Sequence, residues 1–183
     1  PLDTDLLIRA SHKADELEDI RFFFGRYQGL RKEDYCGLRW SDIDMPEEVI
    51  HLRRYEWQGR RRNLKLKEGG ERTIPIHSEL LWRIKKYLPK AITQNDNTPI
   101  WKDDYKSKLE CWGARWAERF KDRYGFGSHD LRSYVVTQMM KSNINPFFLH
   151  AITGHKVPGT SSVVLGYVRP TVSEVRKVLK LLK

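Results

Sequence analysis

The chain has 183 residues, of which 39% are hydrophobic and 11% aromatic, and it contains 12 glycines and 8 prolines. This composition is typical of a single folded domain and excludes a disordered or fibrous chain. The 34 basic and 24 acidic residues give a net charge of +10, which favours a polyanionic partner, with nucleic acid as the first candidate.

The cysteine count and the apolar runs bear on the cellular setting. The two cysteines, Cys36 and Cys111, are too few for a disulfide framework or a zinc site, so we expect a reducing, cytoplasmic compartment. The longest apolar runs, such as the three phenylalanines at 22–24, are far shorter than the roughly 18 residues needed to cross a bilayer. Because the chain begins at Pro1 and not at Met, we expect a fragment of a longer protein that carried another domain upstream.

In the first half of the chain, two predicted helices precede a β-prone region. Apolar spacing predicts one helix from about Ala14 to Gln28 and a shorter one from Arg31 to Trp40. Three short β-prone runs follow, at 49–52, 63–67 and 72–76, and they are separated by glycines. These runs predict a small antiparallel sheet.

Helices return in the second half. They are predicted from Ser78 to about Tyr87, from about Lys106 to Lys121, from the capping Ser128 to about Lys141, from Pro146 to the stop at Gly154, and from Thr171 to the end. We therefore predict a mainly α fold with a small antiparallel β-sheet, of the α+β class. The helical spacing of the tryptophans favours core positions over base stacking for Trp82, Trp101, Trp112 and Trp116.

Two arginines stand where a helix can orient them. Arg31 opens a helix, and Asp34 lies three residues later on the same face, where it can hold the guanidinium in one orientation. His129 and Arg132 share a face in the first turn behind Ser128, where free backbone N–H groups favour an anion. Taken singly, each pair is more often a pair of solvated surface residues than a binding site.

Further basic residues lie near the predicted hairpins. Lys67 ends a strand beside a Glu-Gly-Gly-Glu turn, where a flexible lysine can reach a substrate, and His155 follows Gly154. Five arginines flank the first hairpin and can bind phosphates, although a solvated, charged edge strand is the alternative. They are Arg53, Arg54, Arg60, Arg61 and Arg62.

The order of these motifs resembles that of the tyrosine recombinases, also called phage-type integrases. The motifs are Gly-Leu-Arg at 29–31, a hairpin lysine, His-Asp-Leu-Arg at 129–132, Gly-His at 154–155 and a late tyrosine. The segment 38–44 is similar to the one that follows the first arginine of the family. The resemblance spans nearly the whole chain and implies that residues 1–183 form the catalytic domain, with an upstream DNA-binding domain absent.

The resemblance implies a site-specific recombinase that cuts and rejoins DNA through a 3′-phosphotyrosyl intermediate, with no metal or other cofactor. Arg31 and Arg132 would hold the scissile phosphate, and His129 and His155 occupy the histidine positions. Tyr167, the only tyrosine after His155, is the candidate nucleophile, although the spacing is a few residues longer than usual.

The same resemblance identifies Lys67 as the candidate general acid for the leaving oxygen. Lys65 is a rival, because residues two apart on a strand face the same side. His129 is the candidate base that takes the proton of the tyrosine.

The implied partner is double-stranded DNA at specific recombination sites, bound by a chain that is monomeric without DNA and a homotetramer on it. The terminal helix from 171 to 183 carries an apolar stripe, which either packs on its own domain or docks in trans on a neighbouring protomer. The resemblance also implies a role in DNA integration or another DNA recombination for a phage or mobile element, in the cytoplasm of the host cell.

Two other classes of function compete with this interpretation. A metal-dependent nuclease would use a carboxylate cluster such as Asp103 and Asp104 with Lys106, although a convincing second set of oxygen ligands is missing from the sequence. A non-catalytic DNA-binding domain would use Tyr167 only for packing. Resistance to a chelator and trapping of a covalent DNA adduct distinguish the three classes.

Overall fold

The computed structural model describes residues 2–13, 20–57, 60–63, 70–87, 100, 112–155, 159 and 169–182. The helices are α1 Thr4–Lys13, α2 Ile20–Gln28, α3 Lys32–Cys36, α4 Ser78–Tyr87, α5 Trp112–Tyr124, α6 Ser128–Lys141, α7 Pro146–Thr153 and α8 Val172–Leu179, with a 3₁₀ turn at Trp40–Asp42. The strands are β1 Ile43–Asp44, β2 Val49–Leu52, β3 Arg54–Trp57, β4 Arg60–Asn63 and β5 Arg72–Pro75. The predicted mainly helical fold with a small antiparallel sheet is confirmed.

Helix α2 forms the centre of the fold, since all of its residues are buried. It packs against α3, α4 and α6. The contact with α6 is close because Gly25 has no side chain, and a Cβ there would lie 2.8 Å from Leu131 Cδ1. Phe22 stacks on Phe120 and Tyr124 of α5, with ring centroids 6.0 and 5.5 Å away. Phe24 stacks on Tyr35 of α3, with ring centroids 6.1 Å apart, so the run of phenylalanines joins α2, α3 and α5 in one core.

The strands form two separate antiparallel units. Strands β1, β2 and β5 make a three-stranded sheet with β2 in the centre, where Ile50 pairs with Ile43 on one side and Ile74 on the other. Strands β3 and β4 form a two-stranded hairpin of their own. Strand β4 consists of three arginines and an asparagine and lacks the apolar alternation that predicts strands, whereas β3 alternates charged and aromatic residues over only four positions. Of the predicted strand at 63–67, residues 64–67 lie outside the described residues.

The helix boundaries differ in places from those predicted. Helix α7 begins and ends as expected, with the Asn145 side chain accepting from the Phe147 N–H and Gly154 in the left-handed region. Ser128 is wrong as a cap, because α6 is capped at Gly127, whose N–H donates to Asp130 Oδ2 at 2.7 Å. Helix α1 is an additional helix in a charged segment that the apolar spacing did not indicate.

Two parts of the predicted helices, residues 14–19 and 106–111, lie outside the described residues. Trp101 lies outside them as well. The short helix predicted from Arg31 to Trp40 ends at Cys36, because Gly37 closes it and the chain continues to the 3₁₀ turn. The core prediction is wrong for Trp82, whose surface is 57% exposed. The side chains of Trp112 and Trp116 are not among those described.

The C-terminal helix packs on its own chain. Val175 and Leu179 of α8 are buried, and the helix contacts β5 and α7. Beyond it, the backbone carbonyl of Leu182 accepts from Nε2 of His77, which stacks on Tyr27. Burial lowers the pKa of His77, so this imidazole is neutral at neutral pH. Within the single chain the stripe thus covers its own domain, and docking in trans on a neighbouring protomer stays a prediction.

The turn between α2 and α3 depends on a glycine at position 29. Gly29 has a φ of +58°, and a Cβ there would lie 2.9 Å from Val135 Cγ1 and 3.3 Å from Thr153 Cγ2. We expect Gly29→Ala to lower the free energy of unfolding by about 2–4 kcal/mol, through backbone strain and overpacking together. Urea denaturation followed by circular dichroism measures this loss.

Gly125→Ala is the matched control for this prediction. Gly125 has a φ of +76°, but its Cβ would meet nothing within 4 Å, so strain alone should cost about 1–2 kcal/mol. Equal losses in the two variants would show that the contact of position 29 with α6 is unimportant.

Candidate active site

A cavity of about 430 Å³ opens where three segments meet. These segments are the turn into α3, the first turn of α6 and His155, the second residue after α7. The side chains around the cavity are mostly charged or polar, and the lining residues are Leu30, Arg31, Lys32, Glu33, Ser128, His129, Arg132 and His155. Residues that are about a hundred positions apart in the chain thus share one pocket.

Arg132 is held rigidly at the base of this cavity. Its surface is only 3% exposed. Nη1 donates to the carbonyl of Gly29 at 2.7 Å and to that of Thr153 at 2.9 Å, while Nη2 lies within hydrogen-bond distance of the His155 ring. The guanidinium therefore connects the turn after α2 to the end of α7.

Arg31 lines the same cavity as Arg132. It precedes α3 in an extended conformation, with φ −68° and ψ 147°. Its Nη2 donates to the carbonyl of Gly154 at 3.4 Å, and a Cβ at Gly154 would lie 3.5 Å from its Nη1. Gly154, in the left-handed conformation, thus lets the chain turn close to the arginines.

Asp34 differs from its expected role. Its buried carboxylate pairs with Arg72 at 3.1 Å, so among the described residues its ion pair is with Arg72 and not with Arg31. The Asp34 side chain instead reaches Arg72 at the start of β5.

Arg72 is the site residue that the sequence analysis missed. Its Nε donates to the carbonyl of Ile152 at 3.3 Å, and its Nη2 lies 3.5 Å from that of Thr153. The sequence carries a signal for it. Arg72 stands two positions before the buried Ile74, and residues two apart on a strand face the same side, so Arg72 faces the interior.

The clustering of the arginines affects the pKa values of Arg132 and Arg72. The pKa of Arg132 is lowered to about 9, mainly by burial and then by the repulsion of Arg31 and Arg72, while Asp34 acts in the opposite direction. Burial also lowers the pKa of Arg72, with Asp34 again opposing. Arg132 remains protonated at neutral pH, and a bound anion would relieve the repulsion between these cations.

The two histidines differ in their surroundings. Burial is the main cause that lowers the pKa of His155 to about 4, and the positive charge of Arg132 is the next. His155 is therefore a neutral imidazole at pH 7. His129 is exposed in the first turn of α6 and lines the cavity.

The structure thus brings Arg31, Arg132, His129 and His155 together around the cavity, with Asp34 behind them. Lys67, its rival Lys65 and Tyr167 lie outside the described residues. Their roles stay predictions. The same holds for the carboxylates of the alternative nuclease site, Asp103 and Asp104, and for Lys106.

The arginines predicted to bind DNA near the hairpin have mixed surroundings. Arg54 donates through Nη1 to both oxygens of the buried Asp42, at 2.8 and 2.7 Å. Nη1 of Arg54 is therefore engaged in a structural ion pair with Asp42. Arg53, 46% exposed at its side chain, lies 3.8 Å from the same carboxylate. The side chains of Arg60, Arg61 and Arg62 on β4 are not among those described, and DNA contact by any of these arginines stays a prediction.

Two features are absent from the described segments. No group of three or more His, Cys, Asp or Glu side chains suited to a metal ion occurs there. Within the same segments, no helix has both the length and the apolar character that crossing a membrane requires.

Comparison with known proteins assigns the class of this domain. The sequence profile described as the phage integrase family matches residues 5–170. The chain therefore belongs to the phage integrase family, whose catalytic domains are those of the tyrosine recombinases.

Its curated relatives include archaeal recombinases. The chain is 23% identical over 175 residues to the tyrosine recombinase XerA of Pyrococcus horikoshii, covering 91% of this chain and 55% of that protein. It is 24% identical over 159 residues to XerA of Pyrococcus furiosus, covering 83% and 50%. The chain thus spans about half the length of the curated relatives it matches.

Solved structures show the same fold. A crystal structure of XerA recombinase matches with a TM-score of 0.61 at 17% identity, over 98% of this chain and 62% of that one. The Tn1549 transposon integrase in complex with transposon right end DNA matches with a TM-score of 0.57 at 18% identity, over 100% and 65%. The integrase from mycobacterium phage Brujita matches with a TM-score of 0.61 at 12% identity, over 91% and 52%.

Proposed function

We propose that this chain is the catalytic domain of a site-specific DNA recombinase or integrase. In this proposal it cuts and rejoins strands by transesterification. The observation that carries the proposal is the convergence of Arg31 and Arg132 on one cavity, with His129 and His155 at its wall. The family membership supports it, because the motifs that define the site stand in the order of that family.

The two arginines would bind the scissile phosphate. A phosphodiester under in-line attack gains charge on its non-bridging oxygens, and guanidinium groups bind such oxygens in a fixed geometry without a metal ion. Arg132 is already oriented by two carbonyl groups. It therefore needs little reorganisation when the charge develops.

Tyr167 would attack the phosphorus and His129 would accept the phenolic proton. The bond from phosphorus to the 5′ oxygen breaks as the bond to the tyrosine oxygen forms, and Lys67 would give a proton to the departing 5′ oxygen. The resulting 3′-phosphotyrosyl ester keeps the energy of the broken bond. Another 5′-hydroxyl can then displace the tyrosine and reseal the strand without ATP.

The proposed partner is double-stranded DNA. The net charge of +10 supports this partner, because neutralisation of phosphates supplies most of the affinity of such proteins for DNA. The Tn1549 integrase, which shares the fold, was solved with DNA bound. We further propose that the chain is a monomer without DNA and a tetramer on paired sites, and that Arg53, Arg60, Arg61 and Arg62 contact phosphates outside the cavity.

The test uses the full chain with nicked suicide duplexes drawn from the DNA that flanks its gene. Loss of the short fragment beyond the nick prevents religation, so a covalent protein–DNA adduct should accumulate and survive denaturing gel electrophoresis. The adduct should form equally in EDTA. Cleavage that stops in EDTA would indicate a metal-dependent nuclease, and binding with no adduct would indicate a non-catalytic DNA-binding domain.

The general acid has a separate prediction. Lys67→Ala should slow cleavage of normal DNA, because the 5′ oxygen leaves poorly without a proton. A duplex whose scissile 5′ oxygen is replaced by sulfur should restore the rate, since a thiolate leaves unaided. Single-turnover adduct formation measures both rates. Lys65→Ala is the matched control, and rescue confined to Lys65→Ala would move the acid by two positions.

A further inference from the structure

Three successive backbone carbonyls at the end of α7 accept hydrogen bonds from three arginines of three different segments. The carbonyls are those of Ile152, Thr153 and Gly154, and the arginines that donate to them are, in the same order, Arg72, Arg132 and Arg31. The last carbonyls of an α-helix have no partner within the helix, and the negative end of the helix dipole favours cations. The end of α7 thus supplies the acceptors that hold this cationic cluster together.

Arg72 lies behind this segment, whereas the other two arginines line the cavity. Its side chain is only 8% exposed, and its Nη2 pairs with Asp34 at 3.1 Å. A Cβ at Gly154 would lie 3.2 Å from both Cζ and Nη1 of Arg72. The guanidinium is therefore fixed by a carboxylate on one side and packs against the turn at Gly154 on the other.

A second contact of Arg72 leads to the segment of the proposed general acid. Its Nη1 donates to the carbonyl of Gly70 at 3.4 Å, and Gly70 is the first described residue after Lys67. The contacts at α7 are more extensive, because Nε lies 3.3 Å from the Ile152 carbonyl and Nη2 lies 3.5 Å from the Thr153 carbonyl. The balance of these contacts favours an effect on the arginines of the cavity.

We infer that Arg72 is a positioning residue that fixes the carbonyls of Thr153 and Gly154 and thereby orients Arg132 and Arg31. Its role in cleavage rests on the proposed function, in which those two arginines bind the scissile phosphate. Arg72 does not itself line the cavity, so it acts through the backbone at the end of α7.

Arg72→Lys tests this role, because lysine keeps a positive charge beside Asp34 but lacks the planar fork that also reaches the carbonyls. Single-turnover adduct formation should fall about tenfold, the effect of one hydrogen bond to a charged group, with DNA affinity unchanged. Arg176→Lys is the matched control, since Arg176 likewise joins the carboxylate of Glu48 to the carbonyl of Glu47. It should cleave like wild type, and a wild-type rate in Arg72→Lys would overturn the inference.

The duplex with a sulfur leaving group distinguishes the two routes by which Arg72 can act. If Arg72 acts through Arg132 and Arg31, the defect of Arg72→Lys should persist on this duplex, because the departure of the leaving group is not the impaired step. Restoration of the rate would show that Arg72 acts by placing Lys67, and would overturn the inference.

A double variant separates positioning from stability. Arg72→Met combined with Asp34→Asn leaves no buried carboxylate without its counter-charge, and urea denaturation should show a folded chain. We expect this variant to cleave at least as slowly as Arg72→Lys. A wild-type cleavage rate would mean that the buried pair serves stability alone.

Hydrogen–deuterium exchange of the DNA-free chain, followed by ¹H–¹⁵N spectra, tests the effect on α7 directly. The amide of Gly154 donates to the carbonyl of His150 at 2.7 Å. Arg72→Lys should speed its exchange about tenfold and leave the amide of Val135 on α6 unchanged. Unchanged exchange at Gly154 would overturn the inference. Faster exchange in a protein whose wild type forms no adduct would retain the hold of Arg72 on this segment and remove only the proposed function.

Discussion

Replacing Tyr167 with phenylalanine is expected to abolish the covalent adduct with DNA while leaving DNA affinity almost unchanged. The phenolic oxygen is the proposed nucleophile, and its loss removes the atom that forms the bond to phosphorus. Binding depends instead on cations that neutralise phosphates along the duplex. Denaturing electrophoresis measures the adduct, and a titration of labelled duplex at fixed salt measures the affinity.

The matched control is Tyr55→Phe, which removes a phenolic hydroxyl from β3. It should form the adduct at the wild-type rate. An adduct that persists in Tyr167→Phe would assign the nucleophile to another residue. Loss of affinity in parallel with the adduct would mean that Tyr167 serves the structure and not the chemistry.

The fold class could be predicted because its signals are local. The Asn145 cap, the Pro146 start and the Gly154 stop all act within one helix, and that helix has the predicted bounds. Strands β3 and β4 could not be predicted in the same way. They are stabilised by pairing with each other, as at Tyr55 and Arg62. Strand β3 alternates charged and aromatic residues over only four positions, and β4 is three arginines and an asparagine.

The candidate site could be predicted only where a motif is contiguous. Arg132 and His155 were identified from short motifs, but the acceptors that orient Arg132 come from Gly29 and Thr153, in other segments. Asp34 was expected beside Arg31 from helical spacing, which ignores a partner on a distant strand. Its pairing with Arg72 depends on how β5 packs against the end of α7.

The buried charges explain why Arg72 belongs to the site without lining the cavity. A buried guanidinium is stable only with several partners, and Arg72 finds them in Asp34 and in carbonyls at the end of α7. The same carbonyls lead directly to Gly154 and His155. Arg72 thus connects β5 to the segment at the end of α7, which leads to the cavity-lining His155.

The second large effect is expected for Arg31→Ala, which should slow adduct formation about 10²–10³-fold, the usual cost of removing one preorganised donor from a developing oxyanion. DNA affinity should fall far less, because one phosphate contact among many is lost. Arg31 makes a single long hydrogen bond within the described segments, to Gly154. The fold should therefore tolerate the change, unlike the loss of Arg132, which would remove the hydrogen bond to the Gly29 carbonyl and the shorter of the two that the Thr153 carbonyl accepts.

Single-turnover cleavage at saturating protein separates the two effects for Arg31→Ala, and urea denaturation confirms that the variant is folded. Arg9→Ala is the matched control, since Arg9 is exposed on α1 and its loss removes the same charge from the chain. It should cleave like wild type. If Arg31→Ala loses affinity and cleavage by the same factor, then Arg31 binds DNA equally in the ground state and the transition state. The proposed stabilisation of the developing charge would then have to come from Arg132 alone.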